Sequence, residues 1–255
     1  MLNTVENALK VIEYLAEKHE AGISVISRHL GLPPSTTHRL VSTLASRDFI
    51  TQDVSSKKYR LGMKFFQLGS YVANRFGVRS IALKNMEELA DRTGETVNLG
   101  VLVKEKVYYL EKISNNDSIR VELQVGRAVP AYCTAMGKVM LAFLFPEKQK
   151  EILSRIRFEQ RTRTTITDMK RLKQELEEIH SRGFSVDNDE LIEGISCIAA
   201  PVFSSSKEAI AAISIAGPSF RITEGFIRTH VPDVKEAAEK TSMDIQNLGV
   251  NVFTF

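Results

Sequence analysis

The 255-residue chain has no tryptophan and only two cysteines, Cys133 and Cys197. Two cysteines supply neither a disulfide framework nor a zinc ligand set, so a reducing compartment is their simpler setting. Long hydrophobic runs are missing too, which excludes a helix that crosses a bilayer. The first residues, Met1-Leu2-Asn3-Thr4-Val5-Glu6, lack the basic start and apolar run of a secretion signal. The chain is therefore expected in the cytoplasm, with no membrane association. Internal repeats and low-complexity tracts are absent. So is a phosphate loop: Gly137-Lys138 would need glycine where Tyr132 stands and Ser or Thr where Val139 stands. No cofactor is expected. What remains is ample for folding, since 43% of the residues are hydrophobic and the length suits one or two domains.

Charge is unevenly spread. Residues 1–80 carry eleven Lys or Arg against six Asp or Glu, whereas the rest carry 23 against 25, so the positive excess is all N-terminal. That excess surrounds the most informative stretch, Ser24 to Gly62. Thr37, Leu40, Val41 and Leu44 follow the i, i+3, i+4, i+7 spacing of a helix with one inward face. The opposite face holds Ser35, Thr36, His38, Arg39 and Ser42. It has no acid and no apolar side chain, only groups able to reach phosphates and base edges in a major groove. Pro34 suits the first helical turn. Upstream, Ser24 is placed to cap a short helix with Val25, Ile26 and Leu30 inward, and Gly31 supplies the turn, which completes a helix-turn-helix outline. Downstream, Phe49–Gln52 and Lys58–Leu61 read as two strands around a polar tip. In this hairpin, or wing, Lys57, Lys58 and Arg60 are placed to touch phosphate.

The remaining elements follow from periodicity and punctuation. Thr4 is a cap for a first helix with Ala8, Val11, Ile12 and Leu15 inward. Met63 to Phe76 reads as a helix with Phe65, Leu68, Val72 and Phe76 on one side, too apolar for a lone connector, so a dimer seam is expected there. Ser80 to Arg92 continues as helix until Gly94. Strands follow at Val97–Val103, Val107–Ile113 and Ile119–Leu123. A helix then runs from Thr134 until Pro146 closes it, and another over Asp168–Arg182 has Thr167 as cap and Gly183 after its end. Cys197–Phe203 and Ala209–Ala216 read as buried strands, before a long C-terminal helix from Thr223 with Pro232 inside it. Strands and helices in this order suggest an antiparallel or mixed sheet with helical cover.

Four segments of the C-terminal part carry a resemblance. They are Gly126–Ala142 (GRAVPAYCTAMGKVMLA), Arg182–Glu190 (RGFSVDNDE), Gly194–Val202 (GISCIAAPV) and Ala211–Pro218 (AAISIAGP). In this order, behind a winged helix-turn-helix, they resemble the IclR family of bacterial transcription regulators over nearly the whole chain. The resemblance implies a C-terminal GAF-like domain that holds a small organic acid or aromatic metabolite beside the sheet. Its implied wall includes Ala135 and Met136 at a helix start, Ile195 and Cys197 on one strand, Ser214 and Ala216 on the next, and Val121 and Val129 on the loop side. Backbone N–H groups after Thr134 suit a carboxylate, and Ser214 offers a hydroxyl. Ala216 departs from the hydroxyl residue many family members have there, so one polar contact is missing.

The resulting expectation is an α+β chain: a winged helix-turn-helix over residues 1–62, a linker helix over 63–79, and a GAF-like effector domain over 80–255. Its partners are double-stranded operator DNA, a small acid or related metabolite as effector, and further copies of itself as homodimer or homotetramer. Repression is the expected sense of regulation. The effector would alter the spacing of two DNA-reading heads through the linker helix. A rival reading is an enzyme of small carboxylic acids, with Cys133 or Cys197 as nucleophile beside His180 and Asp187. Buried cysteines in apolar surroundings argue against it. Asp187, Asp189 and Glu190 lack a neighbouring His at ligand spacing, and no metal is expected. A third reading makes the first domain a protein-docking module, which leaves the basic wing unexplained.

Overall fold

Glycine and proline punctuate the N-terminal part of the chain, and its helices begin and end where they stand. The computed structural model describes residues 3–75, 77–114 and 124–248. The chain divides into two compact units, Met1–Asn74 and Arg75–Phe255.

In the first unit, α1 (Asn3–Lys18), α2 (Ile23–Leu30) and α3 (Pro34–Ala45) pack around Val11, Leu15, Ile26 and Val41. The hairpin β1 (Ile50–Gln52) and β2 (Tyr59–Leu61) closes that core with Ile50 and Tyr59, and α4 (Met63–Arg75) follows. Gly31 ends α2 at φ +64°, a left-handed conformation that costs glycine nothing, and its N–H reaches the Arg28 and Ser27 carbonyls. The buried Ser27 hydroxyl donates to the Leu32 carbonyl at 2.6 Å and ties the turn down. Two expectations fail here. Gly22, not Ser24, holds the N-cap of α2, and Val25 is 39% exposed. Because the helix starts at Ile23, its inward face becomes Ile23, Ile26 and Leu30 with Ser27. Thr4 lies within α1.

The second unit contains α5 (Gly77–Thr93), β3 (Thr96–Val103), β4 (Lys106–Ile113), β5 (Ala128–Pro130), α6 (Ala135–Ala142), α7 (Pro146–Arg155), α8 (Met169–Arg182), β6 (Ser185–Asn188), β7 (Ile195–Phe203), β8 (Ala209–Pro218) and α9 (Glu224–Leu248). Its strands form one antiparallel sheet in the order β5-β4-β3-β8-β7-β6. Every residue of the central strand β8 is buried. That follows from helical cover on both faces: α6 and α8 bring Met136, Met140, Leu172 and Ile179 to one, while α5 and α9 bring Met86, Leu89, Val234 and Ala237 to the other.

Sequence punctuation is corrected at two places. Asp168 rather than Thr167 caps α8, its carboxylate accepting from the Arg171 N–H at 2.8 Å. Pro146 does not close the helix begun at Thr134, which ends at Ala142; it opens α7, where a missing N–H is harmless. The strand expected at Ile119–Leu123 lies outside the described residues, as do Phe76 and Val121.

Candidate functional site

Helix α3 enters its core with Thr37, Leu40 and Val41, which turns Ser35, Thr36, His38, Arg39 and Ser42 outward, all exposed. Pro33 precedes the helix without a side-chain cap, so the first-turn N–H groups beside Ser35 and Thr36 stay open to an acceptor. An anion fits such a helix start. His38 Nδ1 and Ser42 Oγ lie 3.3 Å apart, so these two side chains share one patch of the face.

The hairpin is pinned by its own tip. Asp53 accepts from Ser55 Oγ at 2.6 Å and from the Ser56 N–H at 2.7 Å, and these bonds hold its carboxyl well below the usual carboxylate range. Gln52 donates to the Lys57 carbonyl at 3.0 Å. Lys57, Lys58 and Arg60 are exposed while Tyr59 points inward, the alternation that a two-residue period demands. One wing cation is already engaged: Lys58 Nζ sits 2.6 Å from Glu20. An exposed pair of this kind is worth little and exchanges readily for another anion.

The second unit holds a cavity lined by Tyr109, Thr134, Ala135, Met136, Asp187, Leu191, Ile192, Ile195, Cys197 and Ser214. Its floor is the start of α6. Thr134 Oγ1 accepts from the Gly137 N–H at 3.1 Å, so the Ala135 and Met136 N–H groups remain without helical partners. Gly137 is required for this placement, because a Cβ there would lie 2.2 Å from the Ala131 carbonyl oxygen. Gly100 does the same for Met136, whose sulfur would meet a Cβ at 3.0 Å. The cavity is nearly closed, with about 10 Å³ of free volume, room for about one water.

Five residues expected at this wall are brought together there: Ala135, Met136, Ile195, Cys197 and Ser214. Val129 and Ala216 are instead core residues, 4% and 2% exposed, packed among the side chains behind the cavity. Val129 sits on β5, paired to Val107 two positions from Tyr109, and it is Tyr109 that reaches the cavity. Tyr109, Thr134, Asp187, Leu191 and Ile192 were not assigned to the wall from sequence. Asp187 was legible only as the orienter of a rival catalytic triad and as one of the loop carboxylates with Asp189 and Glu190, and Leu191 and Ile192 sit in an aperiodic loop.

Asp187 is the chemically distinctive member. Its Oδ1 accepts from the Glu190 N–H at 2.7 Å. Burial first, and then the Glu190 charge, push its carboxyl up to about 7, against the opposing pull of that N–H and of Lys138. Lys138 is itself buried, its ammonium bonded to Glu190 and 3.6 Å from Glu175. Glu175 in turn meets Arg182 at 3.1 Å and Arg171 at 3.6 Å, so an ionic chain leads from the cavity loop to α8. Thr165 Oγ1 donates to the Glu190 carbonyl at 2.7 Å, a second tie on that loop.

The nucleophile reading does not survive this geometry. Burial, then the Asp187 charge, push the Cys133 thiol up to about 12 and the Cys197 thiol well above its usual range. His180 stands in a different groove, stacked on Phe143 with ring centroids 4.8 Å apart. Among the described residues no group of His, Cys, Asp and Glu could hold a metal ion.

The sequence model of the IclR helix-turn-helix domain matches residues 4–54, and that of the bacterial transcriptional regulator IclR C-terminal region matches residues 70–243. The chain is 33% identical over 243 residues to the HTH-type transcriptional regulator KdgR of Escherichia coli K12, covering 94% of this chain and 92% of that one. The crystal structure of Thermotoga maritima IclR superposes with a TM-score of 0.82 at 31% identity, over 96% of this chain and 99% of the other. An IclR homolog from Microbacterium hydrocarbonoxydans, solved in complex with 4-hydroxybenzoate, superposes with a TM-score of 0.76 at 27% identity, over 89% of this chain and 91% of that one.

Proposed function

The chain belongs to the IclR family of bacterial transcriptional regulators, and on that premise we propose how its two units divide the work. The first reads operator DNA. Ser35, Thr36, His38, Arg39 and Ser42 enter the major groove, while Lys57, Arg60 and, once released from Glu20, Lys58 hold backbone phosphate. The second unit binds a small organic acid, aliphatic or aromatic, in the cavity at the start of α6. The observation that carries this reading is the cavity's make-up: a few polar groups, the first-turn N–H groups of α6 and the hydroxyls of Ser214 and Tyr109, among the apolar side chains of Met136, Leu191, Ile192 and Ile195. Such a wall suits a ligand with one polar end. The bound 4-hydroxybenzoate of the Microbacterium relative is of this chemical kind.

The reader works as a homodimer, or a pair of dimers, in the cytoplasm. Of the expected seam face, Phe65 packs edge-on against Phe49 of its own unit, while Leu68 and Val72, with Tyr71 beside them, are 40–65% exposed and are the side chains a second copy would cover. The acid changes DNA affinity because it binds the DNA-competent and incompetent arrangements unequally, the condition for any such coupling. No turnover is expected, since burial holds both thiols, Cys197 of the wall and Cys133 outside it, in their protonated form.

Fluorescence anisotropy on a labelled fragment of the gene's own upstream DNA tests the whole reading. The expected result is salt-sensitive binding that outcompetes random DNA and that one acid of a panel strengthens or weakens. Binding no better than to random DNA, with every acid inert, would overturn it.

A further inference from the structure

The cavity offers an anion the first-turn N–H groups of α6 and the hydroxyls of Ser214 and Tyr109, yet no lining side chain is a cation. The nearby ammonium of Lys138 faces Glu190 and Glu175 instead. Where a binding site for an acid would ordinarily present positive charge, this wall presents the carboxyl of Asp187. Two carboxylates cannot share a dry cavity at low cost; one of them takes a proton. We infer that the cavity takes up an organic acid together with one proton, which settles on Asp187, so that the bound carboxylate meets a neutral carboxylic acid that donates a hydrogen bond to it. This rests on the organic-acid reading above.

Among the groups around Asp187, Glu190 is the one competitor for that proton, its carboxyl raised by burial and its Oε2 without a hydrogen-bond partner. From β4 it is faced by Tyr109, from the turn before α6 by Cys133, from β7 by Cys197, from α6 by Lys138, and from its own loop by Glu190. Tyr109, Cys133 and Cys197 are all pushed up by burial and stay protonated. Glu190 is bonded to the Lys138 ammonium, and its N–H occupies Asp187 Oδ1. The Lys138 ammonium opposes the upward push on Glu190, whereas Asp187, which lines the cavity, has its carboxyl raised to about 7 before any ligand arrives. A bound carboxylate raises it further. The proton comes from solvent, and nothing else changes hands.

The sign follows. Below the free-state value Asp187 already carries its proton, so affinity is level with pH. Above it the proton must be taken from solvent on binding, and affinity falls by up to about tenfold per pH unit. The selectivity also follows: acids are favoured over amines of the same shape.

Isothermal titration of the full chain with benzoate and with pyruvate tests this, at about pH 6 and about pH 8, each in two buffers of different ionisation heat. Close to one proton taken up per ligand at the higher pH and nearly none at the lower is the expected result. The wild-type buffer dependence needs no variant; Asp187→Asn is expected to bind with its pH dependence lost. Acid bound with no proton uptake at either pH would overturn the inference. So would benzylamine outcompeting benzoate, which would make Asp187 an ionised acceptor and leave a small-molecule site standing. Failure of every acid at both pH values would instead overturn the organic-acid reading itself.

Discussion

Arg39 and Lys57 are both exposed cations of the DNA-reading unit, and their positions predict different losses. Arg39 projects from the helix face with Ser35, Thr36, His38 and Ser42, where a guanidinium can meet a guanine in two parallel hydrogen bonds. Arg39→Ala is expected to cost about 1–3 kcal/mol at one operator position and to relax preference there, measured by competition against operators changed one base pair at a time. Lys57 stands on the wing tip, clear of the Glu20 pairing that engages Lys58. Lys57→Ala is expected to weaken binding to all sequences alike and to lower the slope of log affinity against log salt by about one. Single residues were legible in the sequence where a face repeats: the 3.6 period sorts α3 into inward and outward side chains without further information. They were illegible where a strand alternates between two buried faces. The resemblance put Val129 on the wall and passed over Tyr109, and only the position of α6 decides that Tyr109 reaches the cavity and Val129 does not. Asp187 is similar: beside Asp189 and Glu190 it reads as part of a hydrogen-bonded loop, and only the fold shows it on β6 and 3% exposed.

Elements depend on close contacts that sequence reports only as a glycine. Gly137 sits inside α6, where helix propensity alone favours alanine by about 1 kcal/mol. Here the added methyl would meet the Ala131 carbonyl oxygen at 2.2 Å, and Ala131 is itself fully buried in a tight turn, so neither side can yield freely. Gly137→Ala is therefore expected to destabilise, by about 1–3 kcal/mol, with the opposite sign to propensity; urea unfolding measures it. Helix α4 poses the reverse case, an element with too much apolar surface for its exposure. Val72, 50% exposed, shares a face with Leu68. In the proposed homodimer, Val72→Glu sets charges against one another across the seam and is expected to shift sedimentation toward the monomer, while helix content by circular dichroism stays unchanged. Element ends were the less legible part. Ser24 and Thr167 each carry the right hydroxyl for a cap, but Gly22 and Asp168 hold the position, because the apolar residue that follows decides where a helix begins burying its face.

At the scale of the whole molecule, the division at Asn74 and Arg75 separates a small helical core from a large sheet core, each with its own set of fully buried side chains. Two unfolding transitions are expected on heating, and an acid that binds only the second unit is expected to raise one of them. At a hundredfold excess over its dissociation constant the stabilisation is about 2.7 kcal/mol. Differential scanning calorimetry with and without ligand reads this directly; a single transition shifted as one would show the units to be energetically fused. The buried lysine of α6 has a consequence of its own. Lys138 is 1% exposed, clasped by Glu190 of the loop that also carries Leu191 and Ile192 into the cavity. With so little free volume inside, the proposed acid is expected to enter by lifting that loop, and lifting it is expected to uncover the lysine. An amine-reactive reagent therefore has a clock in this chain: the rate at which it marks Lys138 in the native protein counts the openings of the door, and a resident acid should slow it.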